Sequence, residues 1–233
     1  MIYELDPNYP FFPDPEEAEP DGLVAIGGDL SPQRLINAYC QGLFPWYSEG
    51  EPLMWWSLDP RMVLFPDEFR CSKSLRRLVR SGRFEVRIDT CFEAVMRNCG
   101  AVERPDQDGT WITPEMLEAY VQLHQLGLAH SFETFHEGRL VGGLYGVSVG
   151  QIFCGESMFH IETDASKVAM VRLVEFCKQH GFRLIDAQQE TSHLASLGAR
   201  PIKRKEYLGI LASLDFSKTL IGSWNVSTNE IDG

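Results

Sequence analysis

The 233-residue sequence has no run of eighteen consecutive apolar residues, which argues against a membrane-spanning helix. Its first residues, Met1-Ile-Tyr-Glu-Leu-Asp6, lack the basic stretch and apolar run of a secretion signal, so the expected location is the cytoplasm. The six cysteines, Cys40, Cys71, Cys91, Cys99, Cys154 and Cys177, form no C-x-x-C pair. At this spacing they read as small core residues rather than a disulfide framework. The six histidines show no H-E-x-x-H pattern, so no metal site is expected. The one G-x-S-x-G string, Gly146-Val-Ser-Val-Gly150, falls in a strand-like run and not at a strand-to-helix elbow, and a Walker loop and G-x-G-x-x-G after a strand are missing, which argues against the commonest serine-hydrolase and nucleotide-binding sites.

Basic residues are scarce in one part of the chain. Residues 1–60 hold eleven acids and a single base, Arg34, whereas residues 61–233 hold 22 acids and 20 bases. The net charge of −12 therefore sits almost wholly in the first quarter, and this shift suggests a boundary near residue 60. The expected organisation is a small domain over 1–60 and a catalytic domain over 61–233.

The first segment is rich in proline and aromatic residues and contains one clear helix. Ser31 can cap it, Pro32 suits its first turn, Leu35, Ile36 and Tyr39 form an apolar stripe, and Gly42 ends it. The rest of this segment is expected to be loop-rich. Beyond residue 60, strand-like runs fall at 62–65, 84–88, 130–136, 140–149, 151–155 and 183–187. Helical runs lie near 73–81, 90–99, 114–126, 166–180 and 204–214. Two long strands about Gly150 read as a hairpin, and the 183–187 strand, arriving after a helix, can join in parallel. The fold class is α/β with a mixed sheet.

Three features could carry chemistry. In Cys71–Gly82, a helix gathers Lys73, Arg76, Arg77 and Arg80 on one face, and residues 70–87 hold seven bases against one acid, Glu85. In an acidic protein this face is the best place for phosphate contacts, with Arg200, Lys203, Arg204 and Lys205 as a second cluster. Trp46, after a proline, and Trp111, after the polar stretch 106–110, could present an exposed indole to a nucleobase. Finally, Leu184-Ile-Asp-Ala-Gln188 turns from apolar to polar at a strand end, and in a strand Asp186 and Gln188 project from the same face. Glu156 follows an apolar strand in the same way.

Laid end to end, these segments resemble the bacterial leucyl/phenylalanyl-tRNA–protein transferases. The likeness runs through Asp21-Gly-Leu-Val-Ala-Ile-Gly-Gly-Asp-Leu-Ser-Pro32, Gly42-Leu-Phe-Pro-Trp46 and Trp55-Trp-Ser-Leu-Asp-Pro-Arg61. It continues through Gly109-Thr-Trp-Ile112, Leu140-Val-Gly-Gly-Leu-Tyr-Gly146, Gly155-Glu-Ser-Met-Phe159, Ile185-Asp-Ala-Gln188 and His193-Leu-Ala-Ser-Leu-Gly-Ala199. Their order and spacing, more than any one string, carry the resemblance.

The resemblance implies a catalytic domain related to GCN5-type acetyltransferases. It implies transfer of Leu or Phe from aminoacyl-tRNA to proteins with an N-terminal Arg or Lys, marking them for degradation. By position, Trp46 and Trp111 resemble residues that hold the terminal adenosine of the donor. Phe153, Ile185, Leu144 and Leu173 fall on the apolar pocket for the Leu or Phe side chain. Asp186, Gln188 and Glu156 fall on the catalytic polar set, with Gln188 aiming the amine, Asp186 fixing the Gln188 amide and Glu156 meeting the acceptor's cationic end; a glutamate could then serve at 188. Leu144, Leu173, Cys177, Ala187 and His160 depart from the residues common in the family. Where the related acetyltransferases open a helix with a Gly-rich turn, this chain reads Ile161-Glu-Thr-Asp-Ala-Ser-Lys167, so neither coenzyme A nor any other cofactor is expected. A CoA-dependent N-acetyltransferase and a non-catalytic tRNA- or peptide-binding module are the alternative readings.

Overall fold

A computed structural model describes residues 2–102 and 111–225. The first 56 residues contain more regular structure than the sequence suggested. Strands β1 (Tyr3–Leu5), β2 (Leu23–Gly27), β3 (Phe44–Pro45) and β4 (Met54–Trp56) form a four-stranded sheet in the order β1-β2-β4-β3. Each is two to five residues long, too short to display a two-residue alternation, which is why this segment reads as loop. Trp55 is fully buried and donates its indole N–H to the Gly27 carbonyl at 2.9 Å, pinning β4 to the end of β2. Helix α1 (Pro32–Cys40) starts where expected, with the Ser31 hydroxyl accepting from the Arg34 N–H.

The second sheet begins at β5 (Arg61–Leu64) and has seven strands. Helices and strands then follow as α2 (Lys73–Arg80), β6 (Glu85–Ile88), α3 (Phe92–Gly100), α4 (Pro114–Gln125), β7 (Ala129–His136), β8 (Arg139–Val149) and β9 (Ile152–His160). The chain ends with α5 (Ala165–Gln179), β10 (Leu184–Gln188), α6 (Ser192–Ser196), β11 (Arg200–Ile202) and α7 (Arg204–Ala212). The order is β11-β5-β10-β9-β8-β7-β6, a mixed α/β sheet of the expected class. β8 and β9 make the hairpin at Gly150, and β10 lies parallel to β9 with α5 as the crossover.

Each face of this sheet buries its own apolar cluster. One face packs on α5 and α2 through Phe132, Leu144, Phe153, Leu173 and Ile185. The other packs on α1, α3 and α4, and its cluster runs without a break into Val24, Ala25 and Trp55 of the first sheet. The two sheets thus share a core although the strands divide between Trp56 and Arg61. Cys99, Cys154 and Cys177 are buried in these clusters, and all six cysteines are free. Among the described residues, no helix is long and apolar enough to cross a membrane.

Two irregularities shape the region between β9 and β10. These strands pair only from Leu184–Ile152 to Asp186–Cys154, whereas β9 runs on to His160, so the parallel strands part there. β9 is also bulged: Gly155 pairs with Gly146 and Ser157 with Tyr145, leaving Glu156 as the extra residue. Gly146 permits the close approach, because a Cβ there would lie 2.2 Å from the Cys154 carbonyl oxygen. β10 carries a matching bulge, with Asp186 opposite Val63, Gln188 opposite Met62 and Ala187 between them unpaired.

Candidate active site

A cavity of about 500 Å³ occupies the opening between β9 and β10. One wall is apolar, from Leu144, Met158, Met170, Leu173 and Ile185. The facing wall brings Phe44, Pro45 and Trp46 from the first sheet together with Trp111. Glu156 and Gln188 line it between these walls, as the two bulges dictate. Most residues singled out in the sequence therefore converge here, but Phe153 and Asp186 do not line the cavity. Phe153 is fully buried, its ring edge-on to Phe132 at 6.3 Å and tilted against Trp224 at 6.1 Å, so it backs the apolar wall. Met158 and Met170 take lining positions that the sequence did not single out.

Asp186 faces inward because the bulge at Ala187 breaks the alternation that would have set it beside Gln188. Its carboxylate is fully buried and paired bidentately with fully buried Arg61, Nε to Oδ1 at 2.8 Å and Nη2 to Oδ2 at 2.7 Å. Tyr207 OH donates to Oδ2 at 2.7 Å, and the Gln188 backbone N–H donates to Oδ1 at 3.0 Å. The Arg61 guanidinium lies between the rings of Phe44, 4.8 Å away, and Tyr207, 4.7 Å away, and reaches the Gly42 carbonyl at 3.3 Å. Burial works against the Arg61 charge, but Asp186 beside it outweighs that and raises its pKa. The Gln188 N–H bond explains a strained residue: Gln188 has φ of +58°, a left-handed conformation that a non-glycine residue holds at a cost of about 1–2 kcal/mol.

The Gln188 side chain is oriented by a different acid from the one expected. Its Nε2 donates to Glu156 Oε1 at 2.9 Å, and the residue lines the cavity. Glu156 Oε2 accepts from Tyr120 OH at 3.3 Å, and Tyr120 OH is hydrogen-bonded to Tyr39 OH. Both carboxylate oxygens are thus engaged, so Glu156 is not a spare anion waiting for an incoming cation. Burial pushes its pKa up to about 7, against hydrogen bonds from Tyr39, Gln188 and Tyr120 that favour the charged form; the Asp186 charge adds to the rise.

The indoles are less exposed than the sequence suggested. Trp111 is 8% exposed, and Trp46 is half-buried with its ring 5.7 Å from Trp56, whose N–H donates to the Trp46 carbonyl at 2.7 Å. Residues 106–110, read as the polar loop before Trp111, lie outside the described residues. On α2, Lys73, Arg76, Arg77 and Arg80 are all exposed, while Leu75 is buried and Leu78 and Val79 half-buried. Among the described residues none of the four is in an ion pair. The second basic cluster is partly occupied: Arg200 pairs with Glu68 at 3.0 Å, and Arg204 donates to the Ser57 carbonyl at 2.7 Å.

Sequence reasoning passed over Arg61, Tyr207, Tyr39 and Tyr120. One signal was available, since an aspartate inside the apolar run Leu184–Ala187 requires a buried cation, and Arg61 opens the equally apolar Met62-Val-Leu-Phe65.

Comparison with known proteins gives a consistent result. Residues 63–212 match the family described as leucyl/phenylalanyl-tRNA protein transferase, and residues 28–59 match its N-terminal domain. A leucyl/phenylalanyl-tRNA–protein transferase of Anaeromyxobacter sp. (strain Fw109-5) is 54% identical over 229 residues, 98% of this chain and 97% of that protein. The one from Maridesulfovibrio salexigens is 51% identical over 233 residues, 100% of this chain and 97% of its own length. Among solved structures, a GCN5-related N-acetyltransferase-like protein from Streptococcus suis overlaps 63% of this chain and 58% of its own, at 18% identity and a TM-score of 0.38.

The buried ion pair makes a measurable prediction. Arg61→Ala leaves the Asp186 charge without its cation and should cost about 3–5 kcal/mol in urea unfolding. Combined with Asp186→Asn, the loss should be smaller than the sum of the two single losses by about 2 kcal/mol. Strict additivity would mean the two side chains do not hold each other.

Proposed function

Because this chain belongs to the leucyl/phenylalanyl-tRNA–protein transferase family, we propose that it moves Leu or Phe from aminoacyl-tRNA to the α-amine of proteins with N-terminal Arg or Lys. The product would be marked for degradation in the cytoplasm. The observation that carries this reading is the junction of an apolar wall, two tryptophans and the Glu156–Gln188 pair in one cavity. Trp46 and Trp111 offer ring faces for the terminal adenine of the donor. Leu144, Leu173 and Ile185, with Met158 and Met170, receive the Leu or Phe side chain, and Phe153 supports that wall from behind. The exposed bases of α2 meet the phosphate backbone.

The aminoacyl ester is already activated, so the catalytic task is to align an amine with its carbonyl. The α-amino pKa is about 8, so roughly a tenth of the acceptor is neutral near pH 7. With Nε2 held by Glu156, Gln188 presents its oxygen as a hydrogen-bond acceptor for the amine. Asp186 acts at one remove, by holding the backbone of Gln188 in its bulge.

The start of α5 supports tRNA rather than coenzyme A as the acyl source. Glu162 is tied to Arg83 at 2.8 Å and to His136 at 2.9 Å, and Asp164 to Lys167 at 2.6 Å. A pyrophosphate there would meet two carboxylates. The deciding experiment follows labelled Leu from Leu-tRNA to a peptide starting with Arg, beside one starting with Ala. Transfer to the first alone is expected, and acetylation from acetyl-CoA without tRNA would refute the assignment.

Two variants test the details. Gln188→Ala should lower turnover by about a hundredfold through lost alignment. Gln188→Glu, which the sequence alone would tolerate, sets a second carboxylate against Glu156, whose pKa is already about 7, so the pair should share one proton near neutral pH and lose it, together with activity, only towards alkaline pH. A Gln188→Glu enzyme whose activity relative to wild type does not fall towards alkaline pH would contradict the pairing. Separately, reversing the charges of Lys73, Arg76, Arg77 and Arg80 should weaken tRNA binding and flatten its log–log salt slope by about 3 to 4. An unchanged slope would remove α2 from the tRNA footprint.

A further inference from the structure

Alignment alone leaves a proton to be moved. As the amine nitrogen bonds to the ester carbonyl carbon it gains positive charge and must lose a proton, and the departing ribose oxygen must gain one. A neutral amide such as Gln188 can accept a hydrogen bond but is far too weak a base to take that proton. Asp186 is sealed behind β10 by Arg61, Tyr207 and the Gln188 N–H, with no place on the cavity wall. Glu156 is the one carboxylate on that wall among the described residues.

We propose that Glu156 carries the proton of the transfer, and that Tyr39 and Tyr120 are positioning residues that hold its carboxylate at the cavity wall as an acceptor. The inference rests on the transferase reading above. In the step, the N–C bond forms, a nitrogen proton passes to Glu156, the bond from carbonyl carbon to ribose oxygen breaks, and Glu156 returns the proton to that oxygen. The carboxylate ends as it began, and no further reactant is consumed.

The surroundings suit the task. Tyr39 comes from α1 and Tyr120 from α4, and Gln188 reaches over from β10. Asp186, also on β10, lies close enough to disfavour the Glu156 charge, with Arg61 of β5 beyond it. Cys154 on β9 and Tyr145 on β8, edge-on to Tyr120 at 6.0 Å, are further ionisable neighbours, with Cys40 and Tyr207 behind them. Burial holds both Tyr39 and Tyr120 well above their ordinary pKa, so each stays a protonated donor. The result is a carboxylate poised at about 7, where a group can both take and return a proton at neutral pH. Among the described residues the one other candidate base on the wall is His193, whose buried Nε2 has no hydrogen-bond partner there and whose pKa is lowered by burial and by Lys167 and His160.

The test is the pH profile of kcat with both substrates saturating. Wild type should gain activity through a limb near pH 7, below the limb near 8 that belongs to the acceptor amine itself. Glu156→Gln should lower kcat about a hundredfold and erase the lower limb. Tyr39→Phe and Tyr120→Phe remove donors that favour the charged form, so each should move the limb up by about one pH unit, the worth of one hydrogen bond to a carboxylate, with the KM for aminoacyl-tRNA unchanged. His193→Gln should leave the limb in place. If the limb stays put in both tyrosine variants, or disappears in His193→Gln instead, the proposal is wrong. Should one tyrosine variant fail to fold, the other carries the test. Absence of any transfer by wild type would refute the transferase reading, whereas transfer with an unmoved limb refutes the proton role alone.

Discussion

Most of the site depends on one buried ion pair. Arg61 and Asp186 are 125 positions apart and fully buried, and removing either would leave an uncompensated charge in the core. The pair binds β5 to β10, draws Tyr207 in from α7, and reaches Gly42 and Phe44 at the edge of the first sheet. It also holds the Gln188 backbone in a conformation the chain would otherwise avoid. A hydrophobic replacement could fill the space, but it could not tie these four elements to one point or aim the residue at the cavity.

Two neighbouring bulges turn a regular sheet into a cleft lined by polar groups. In an unbroken ladder, Glu156 and Gln188 would follow the alternation of their strands. Instead an extra residue in each strand re-aims a polar side chain at the gap where the parallel pairing stops. The division of labour follows: the inward acid is spent on structure, and the acid at the bulge is left on the cavity wall.

Local features were legible in the sequence because their signals are local. Ser31-Pro32 marks the start of α1, the spacing of Lys73, Arg76, Arg77 and Arg80 gives one exposed face of α2, and the runs at 140–149 and 151–155 give the hairpin. Fold class followed from the order of these elements. The short strands at 44–45 and 54–56 did not show, since two or three residues hold no period. Neither did the bulges, which a register with a distant partner defines. Asp186 and Gln188 were correctly seen as polar residues at a strand end, but the side each faces depends on Ala187 being unpaired and on Arg61 lying opposite. The burial of Trp111 is likewise a matter of tertiary packing.

The uneven charge acquires a spatial meaning once the layers are known. The first sheet, from the segment that is eleven parts acid to one part base, packs with the cluster on one face of the seven-stranded sheet, and α2 packs against α5 on the other. The molecule is thus electrically lopsided across its own thickness. An approaching polyanion experiences a torque before it makes contact, turned away from the acidic flank and towards the cationic helix. Orientation of this kind acts at the encounter stage and fades with added salt, so it would govern how often collisions are productive rather than how tightly the settled complex holds.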